Sequence, residues 1–352
     1  PSMVRGAAGR VGTTARSLAG PAQAQRPWQT PPVTFDPAQA APAARPDRPR
    51  PAAGYALLLG TLALMWGSSY LFIKIGVETL PTFTLIAGRL GIGTLLIGAV
   101  LLVAREPLPR ERRMYGHLAV LAFVNIVIPF SLITWGEQSL ESALASILNS
   151  TVPLFTIVLA ALVLHDEPIT VNRLVGLLVG FAGVVILTSR RLGPASGGNP
   201  LGELAIIGAS ISYACGNVYA RRMVHGLRPM VPAFFQVSIA FLVTGALALL
   251  TERPFGLTLR PDALFAVGWL GVFGSGLAYL VFFRLLRSWG STRTSLVAYV
   301  LPIVGIVLGV VVLGETLDAR ILAGAALIVG GVGLVSSRYG TRRLYGRRPA
   351  ED

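Results

Sequence analysis

Cysteine occurs once in this chain of 352 residues, lysine once, and histidine three times. One cysteine excludes a disulfide framework and a cysteine-rich metal site. His117, His165 and His225 show no HExxH or other ligand spacing, so neither a metal nor a cofactor is expected. The GxxxxGK[ST] phosphate loop is missing, which argues against direct ATP coupling within this chain. Charge is scarce too, at 13%, where a water-soluble domain usually carries about a quarter. What replaces it is apolar: 53% hydrophobic residues and a mean hydropathy of +0.66. Such a chain belongs in a bilayer.

Residues 1–52 differ from the rest. They hold seven Arg, many Pro and Ala, and too little apolar surface to offset the entropy of ordering, so a disordered tail is expected. An opening Pro1 implies processing, truncation or an early-assigned start, with Met3 as the candidate beginning. From Gly54 onward, apolar runs of roughly 20 residues recur, each enough to cross a hydrocarbon core of about 30 Å as a helix. Ten are expected, over 54–75, 82–103, 117–135, 143–164, 173–189, 203–222, 231–250, 263–284, 293–313 and 319–337. With no water to satisfy backbone groups in lipid, they must be helices.

With a cytoplasmic N-terminus, the connections and tails on the inner side carry 23 Lys and Arg and those on the outer side carry 5, leaving Lys74 and Arg89 within or at the ends of spans. The positive-inside rule then places both termini in the cytoplasm of a plasma-membrane protein. This asymmetry and the tail account for the net charge of +14, so nucleic acid is not expected as a partner, while the basic tails suit anionic lipid.

The sequence also resembles itself at a shift near 148 residues. Trp66, Tyr70, Lys74 and Arg89 fall on Tyr213, Asn217, Arg221 and Gln236; Phe130, Ser146, Ser150 and Pro153 fall on Tyr279, Ser295, Tyr299 and Pro302. Glu167, Gly176 and Gly183 fall on Glu315, Gly324 and Gly331. Five spans per repeat is an odd number, so the second half enters the membrane from the opposite side. The expected organisation is therefore a tail (1–52), a first five-helix repeat (53–190), a linker (191–201), a second repeat (202–340) and a basic C-terminal tail (341–352). The fold class is an all-α membrane protein of ten transmembrane helices in two inverted five-helix repeats. Two opposed halves can expose a central site to one face and then the other, which is a transporter's architecture.

The run WGSSYLFIKIGVETLPTFTLIAGR from Trp66 to Arg89, the mid-helix prolines followed by Glu167 and Glu315, and the closing helices GLLVGFAGVVIL and GAALIVGGVGLV resemble the EamA-type members of the drug/metabolite transporter superfamily. The resemblance covers residues 54–340. It implies a ten-helix bundle that moves small metabolites, amino-acid-like solutes among them, or toxic compounds, most often outward. The second repeat departs from the first at Tyr213, Ala214, Cys215 and Gln236, so the halves are not chemically equivalent.

Candidate site residues follow from polar and aromatic groups within spans. Trp66, Tyr70 and Lys74, with Ser69 beside them, form one helical stripe, and Tyr213, Asn217 and Arg221 form another. They either line an aqueous cavity or make an interfacial belt with snorkelling cations. Lys74 either meets a substrate carboxylate or anchors its span. Arg89 lies roughly 10 Å into its span at 1.5 Å per residue; a substrate anion, helix-end carbonyls, Glu78 and Glu137 are its candidate acceptors. Pro153 and Pro302 each free the carbonyl four residues earlier and are candidate hinges, surrounded by Ser146, Asn149, Ser150, Ser295 and Tyr299. Asn125, Thr134, Trp135, Ser275 and Tyr279 are candidates for the same lining. Gly176/Gly180 and Gly305/Gly309 suit close packing within the molecule, and Glu167 and Glu315 suit capping.

The expected function is a secondary transporter exporting a small-molecule substrate. Alternatives are a facilitative channel, a non-transporting scaffold, and, more remotely, an intramembrane lipid-processing enzyme, for which no catalytic constellation is visible. A homodimer is compatible with the sequence.

Overall fold

The computed structural model describes residues 52–163, 169–189, 200–224, 227–258, 260–289, 294, 296–336 and 343–345. The N-terminal tail, the linker up to residue 199, Glu167, Ser295 and most of the C-terminal tail lie outside the described residues.

Among the described residues, ten helical segments fill the ten expected places. They are α1 (Ala52–Val77) and α2 (Thr82–Val103), then α3 (Arg112–Gly136) and α4 (Ser142–Val163), and α5 (Val171–Ser189). The second set is α6 (Pro200–Met223), α7 (Met230–Thr251), α8 (Pro261–Leu285), α9 (Val297–Leu313) and α10 (Ala319–Ser336). The first eight are long and apolar enough to span a bilayer; α9 and α10 are shorter apolar helices. At 17 residues, α9 reaches about 25 Å, which suffices with modest adjustment of the bilayer. A two-stranded antiparallel pairing, β1 (Ile169–Thr170) with β2 (Arg343–Tyr345), is added outside the spans; no alternation in the sequence signalled it.

Face A is the end of the bundle where α1, α3, α7 and α9 stop and α2, α4, α8 and α10 start, and face B is the opposite end. The two repeats pack as exchanged equivalents. Helix α2 packs on its counterpart α7, and α5 on α10, while α1 packs on α8 and α9 as α6 packs on α3 and α4. Glycines set the closeness of the α5–α10 seam. A Cβ on Gly176 would lie 2.6 Å from the Gly331 carbonyl oxygen, and one on Gly183 would lie 2.8 Å from that of Gly324. Since Gly176 corresponds to Gly324 and Gly183 to Gly331, each glycine meets its partner's counterpart, as a two-fold relation requires. Without a hydrophobic force between helices in lipid, this backbone approach supplies the van der Waals contact that holds the seam. Leu95, Leu102, Leu242 and Leu250 remain exposed, as suits surfaces that meet lipid rather than water.

Two local departures from α geometry position polar groups. In α3 and α8, Phe123–Val127 and Leu270–Leu277 are π-helical, at equivalent places in the two repeats. The first widening lies just before Pro129, whose ring excludes the carbonyl four residues earlier, that of Asn125. The second lies in a run with Gly271, Gly274 and Gly276, residues that hold the α-helix weakly. The proline of α4 breaks its helix: α-geometry stops at Asn149 and resumes at Val152. Pro302, by contrast, sits inside the continuous α9.

Candidate functional site

Both π segments are held by polar side chains of the opposite repeat. From α2, the Arg89 Nε donates to the Ser275 Oγ at 3.1 Å. From α7, Gln236, the counterpart of Arg89, accepts from the Asn125 Nδ2 at 3.1 Å. The first helix of each repeat does the same with backbone. The Trp66 Nε1 donates to the Gly274 carbonyl at 3.3 Å, and the Ser212 Oγ donates to that of Val124 at 2.6 Å. A π turn leaves carbonyls poorly matched to their own helix, and buried carbonyls need partners. The result is a polar layer shared by both repeats, buried at Arg89 and Ser275 and part-buried at Asn125, Gln236 and Trp66.

Its two sides differ in charge. Arg89 is 4% exposed, and its guanidinium carbon sits 4.5 Å from the centre of the Phe130 ring. Tyr70, Tyr213 and Tyr279 lie within electrostatic range of it. A guanidinium has five N–H donors, and among the described residues only the Ser275 hydroxyl accepts one; no carboxylate forms an ion pair with it. Glu137 lies within electrostatic range as well, but it is fully buried and among the described residues neither carboxylate oxygen has a hydrogen-bond partner. On the neutral side, the Gln236 Nε2 donates to the Pro232 carbonyl. Gly216 faces Asn125 so closely that a Cβ there would fall 1.7 Å from the Asn125 Oδ1.

The other sequence candidates are distributed as follows. Tyr70 is buried and its hydroxyl accepts from the Asn149 Nδ2 at 2.7 Å; the Ser210 Oγ lies 3.3 Å from the Asn149 Oδ1. This chain of three joins α1, α4 and α6 at the break in α4. Trp66 and Tyr279 meet edge to face at 6.1 Å. Ser69 bonds back to the Met65 carbonyl and sits opposite Gly274, where Arg89 also reaches. Lys74 donates to the carbonyls of Glu137 and Leu140 at 2.8 and 2.6 Å, clamping the end of α1 to the end of α3. Ser146 and Ser150 each bond within their own helix, and Ser146 packs against Gly305. Tyr299 donates to the Val332 carbonyl in α10. Asn217 and Trp135 are exposed, and Thr134 is buried with no partner for its hydroxyl among the described residues. Ser210, Ser212 and Phe130 enter the network without having been singled out for it, because polar Ser and Phe are common in membrane helices and only their neighbours distinguish them.

Face A is tied across the repeats by carboxylates. Gly314 adopts the left-handed conformation at the end of α9, with φ of 68°, and turns the chain so that Glu315 accepts from the backbone N–H groups of Ser142 and Ala143 at 2.6 and 2.9 Å. Glu252, after α7, likewise accepts from Phe83 and Thr84 at the start of α2, at 2.8 and 2.7 Å. Each carboxylate satisfies N–H groups that a helix start leaves without partners and meets the positive end of the helix dipole. At face B the corresponding end of α2 carries Glu106, paired with Arg228 at 2.7 Å, a partly exposed contact of small energetic weight. A cavity of about 410 Å³ at face A is lined by Lys74, Val77, Glu78, Thr79, Leu80, Pro81 and Gln138. All its walls come from one repeat, whereas the polar layer around Arg89 is built by both.

Comparison with known proteins agrees with this architecture. The EamA-like transporter family matches twice, over residues 53–189 and 200–337. The chain belongs to the EamA-like transporter family. It is 32% identical to the uncharacterized inner membrane transporter YedA of Escherichia coli over 285 residues, 79% of this chain and 89% of that one. It is 27% identical to the probable amino-acid metabolite efflux pump of Salmonella typhimurium over 292 residues, 79% and 93% of the two chains. A solved crystal structure superposes with a TM-score of 0.60 at 21% identity, covering 83% of this chain and 99% of the other, which shows a shared fold. This EamA-like chain is thus a multi-pass membrane transporter of two inverted five-helix repeats.

Proposed function

We propose that the protein is a secondary transporter of the plasma membrane that exports a small organic solute by alternating access. The observation that carries this reading is the polar layer in which each repeat's second helix bonds the π segment of the other's third helix, through Arg89–Ser275 and Gln236–Asn125. Polar side chains in a membrane interior mark pathways for solutes, and this layer lies where rocking of one half against the other alternates access. Pro153 and the break before it serve as a hinge in α4. Both halves of the site come from one chain, so a second copy is not required. The charge asymmetry of the connections supports cytoplasmic termini with face A outside. Outward transport of amino-acid-like solutes accords with the name given to the Salmonella relative.

The test is export. Culture medium from bacteria expressing the protein is compared by untargeted metabolite profiling with that from an empty-vector strain, and any accumulated solute is then used for uptake and counterflow in liposomes. Saturable flux with counterflow is expected. Unsaturable flux without counterflow would make the protein a channel, and no flux of any solute would make it a scaffold.

A further inference from the structure

We infer that the transported solute is an organic carboxylate with an apolar body, and that Arg89 binds its carboxylate group. The inference rests on the transporter reading above and adds the chemical class of the solute.

Four of the five guanidinium donors of Arg89 have no acceptor among the described residues, although the side chain is 4% exposed. Buried charges in proteins are normally paired, because removing an ion from water costs several kcal/mol that only well-placed partners offset. Lys74 is a membrane cation whose needs are met, by two carbonyls. Glu315 and Glu252 are acids whose needs are met, by backbone N–H groups. Arg89 differs from all three. Glu137 does not complete it, since its oxygens are buried and accept no hydrogen bond from any described residue. The one tether, at Nε, together with the Phe130 face, fixes the plane of the guanidinium and leaves its two terminal nitrogens free. Two parallel N–H groups in a fixed plane match the two oxygens of a carboxylate.

The walls supply the rest of the selectivity. The Phe130 face lies against the guanidinium, Tyr279 is within electrostatic range of it, and Trp66 meets Tyr279 edge to face, so the surface next to the cation that the body of the solute would meet is aromatic. The pseudo-symmetric position holds neutral Gln236, already bonded to Asn125 and Pro232. The layer therefore offers one cationic end, which suits one anionic group on the solute rather than two.

Binding to the purified full chain in detergent, followed by calorimetry, tests this. The probes are phenylacetate, hydrocinnamate and hexanoate, each beside its neutral amide. The acids are expected to bind roughly tenfold or more tightly than their amides, the scale of a charge-assisted hydrogen bond. Arg89→Gln, which copies the residue of the other repeat, should bring acid and amide together, and Arg89→Lys should keep part of the preference. Equal binding of acid and amide to the wild type, failure of all three acids to bind, or a preference surviving in Arg89→Gln would overturn the assignment. The wild-type comparison needs no variant, so a misfolded Arg89→Gln leaves the test intact. Counterflow of hydrocinnamate in liposomes separates the two readings: acid-selective binding without counterflow would sink the transporter reading and spare the site. Counterflow of neutral solutes without acid preference would do the reverse.

Discussion

Replacing Glu315 by Ala should open face A. Its carboxylate accepts two backbone N–H groups at the start of α4, at 2.6 and 2.9 Å, and it comes from the opposite repeat. A hydrogen bond to a charged group contributes about 1.5–3 kcal/mol. Glu315 is half-buried, so water recovers part of that for each orphaned N–H, and a combined loss of about 2–4 kcal/mol is expected from the capping and charge terms together. If the contact exists only while face A is closed, the loss falls on that state alone. About 2 kcal/mol then shifts a two-state population roughly thirtyfold. The assay is the rate of labelling of Ser146→Cys, 1% exposed and packed from α4 against Gly305 of α9 about one turn in from the cap, by a membrane-impermeant thiol reagent in a Cys215→Ser background. Labelling should be much faster with Glu315→Ala and intermediate with Glu315→Gln, which keeps one acceptor oxygen but turns an amide toward the second N–H. Unchanged labelling in Glu315→Ala, with the protein monodisperse, would refute the reasoning, since the cap would then contribute nothing to closure.

Three further outcomes are expected. Gly176→Val should prevent recovery of monodisperse protein, because its side chain would meet the Gly331 carbonyl and the Val335 N–H at 2.6 and 2.7 Å and backbone cannot yield; size-exclusion chromatography checks it, and normal recovery would show the α5–α10 seam to be loose. Gly216→Ala should displace Asn125 from Gln236 and lower thermal stability by about 1–3 kcal/mol, the cost of overpacking, while Asn125→Ala in the same chain should restore most of the loss; a double variant no better than the single would break the argument. Lys74→Met should destabilise by about 2–3 kcal/mol through the loss of two charge-assisted bonds, read as thermal stability in detergent, without abolishing the acid-over-amide preference assigned to Arg89.

The membrane class, the ten helices and the two-repeat plan were legible because each rests on a property that adds along the chain. An apolar run of spanning length must close its own hydrogen bonds wherever it lies, and an odd number of spans per repeat inverts the second without reference to any contact. The places of α2 and α7 are likewise fixed by apolar length, with Pro81 and Pro229 marking their starts. The departure at Gln236 was readable too, as a letter. Its meaning was not, since a repeat shift says which residues correspond and nothing about which ones touch.

Contacts between distant residues decided the rest. Lys74 and Arg89 look alike in sequence, two isolated cations at spans' ends or interiors, yet one ends on two carbonyls and the other on a lone hydroxyl, because helices far apart in the chain bring acceptors to the first and a phenyl face to the second. Pro153 and Pro302 correspond by position, but only the first interrupts its helix. The π segments arise from a proline in one repeat and weak helix formers in the other, and they are stabilised by groups arriving from the opposite half. The sequence by itself thus determined the membrane, the spans and the inverted plan, which follow from solvent and chain length. Tertiary structure alone decided which charges are satisfied, since satisfaction is a property of neighbours that residue order does not record.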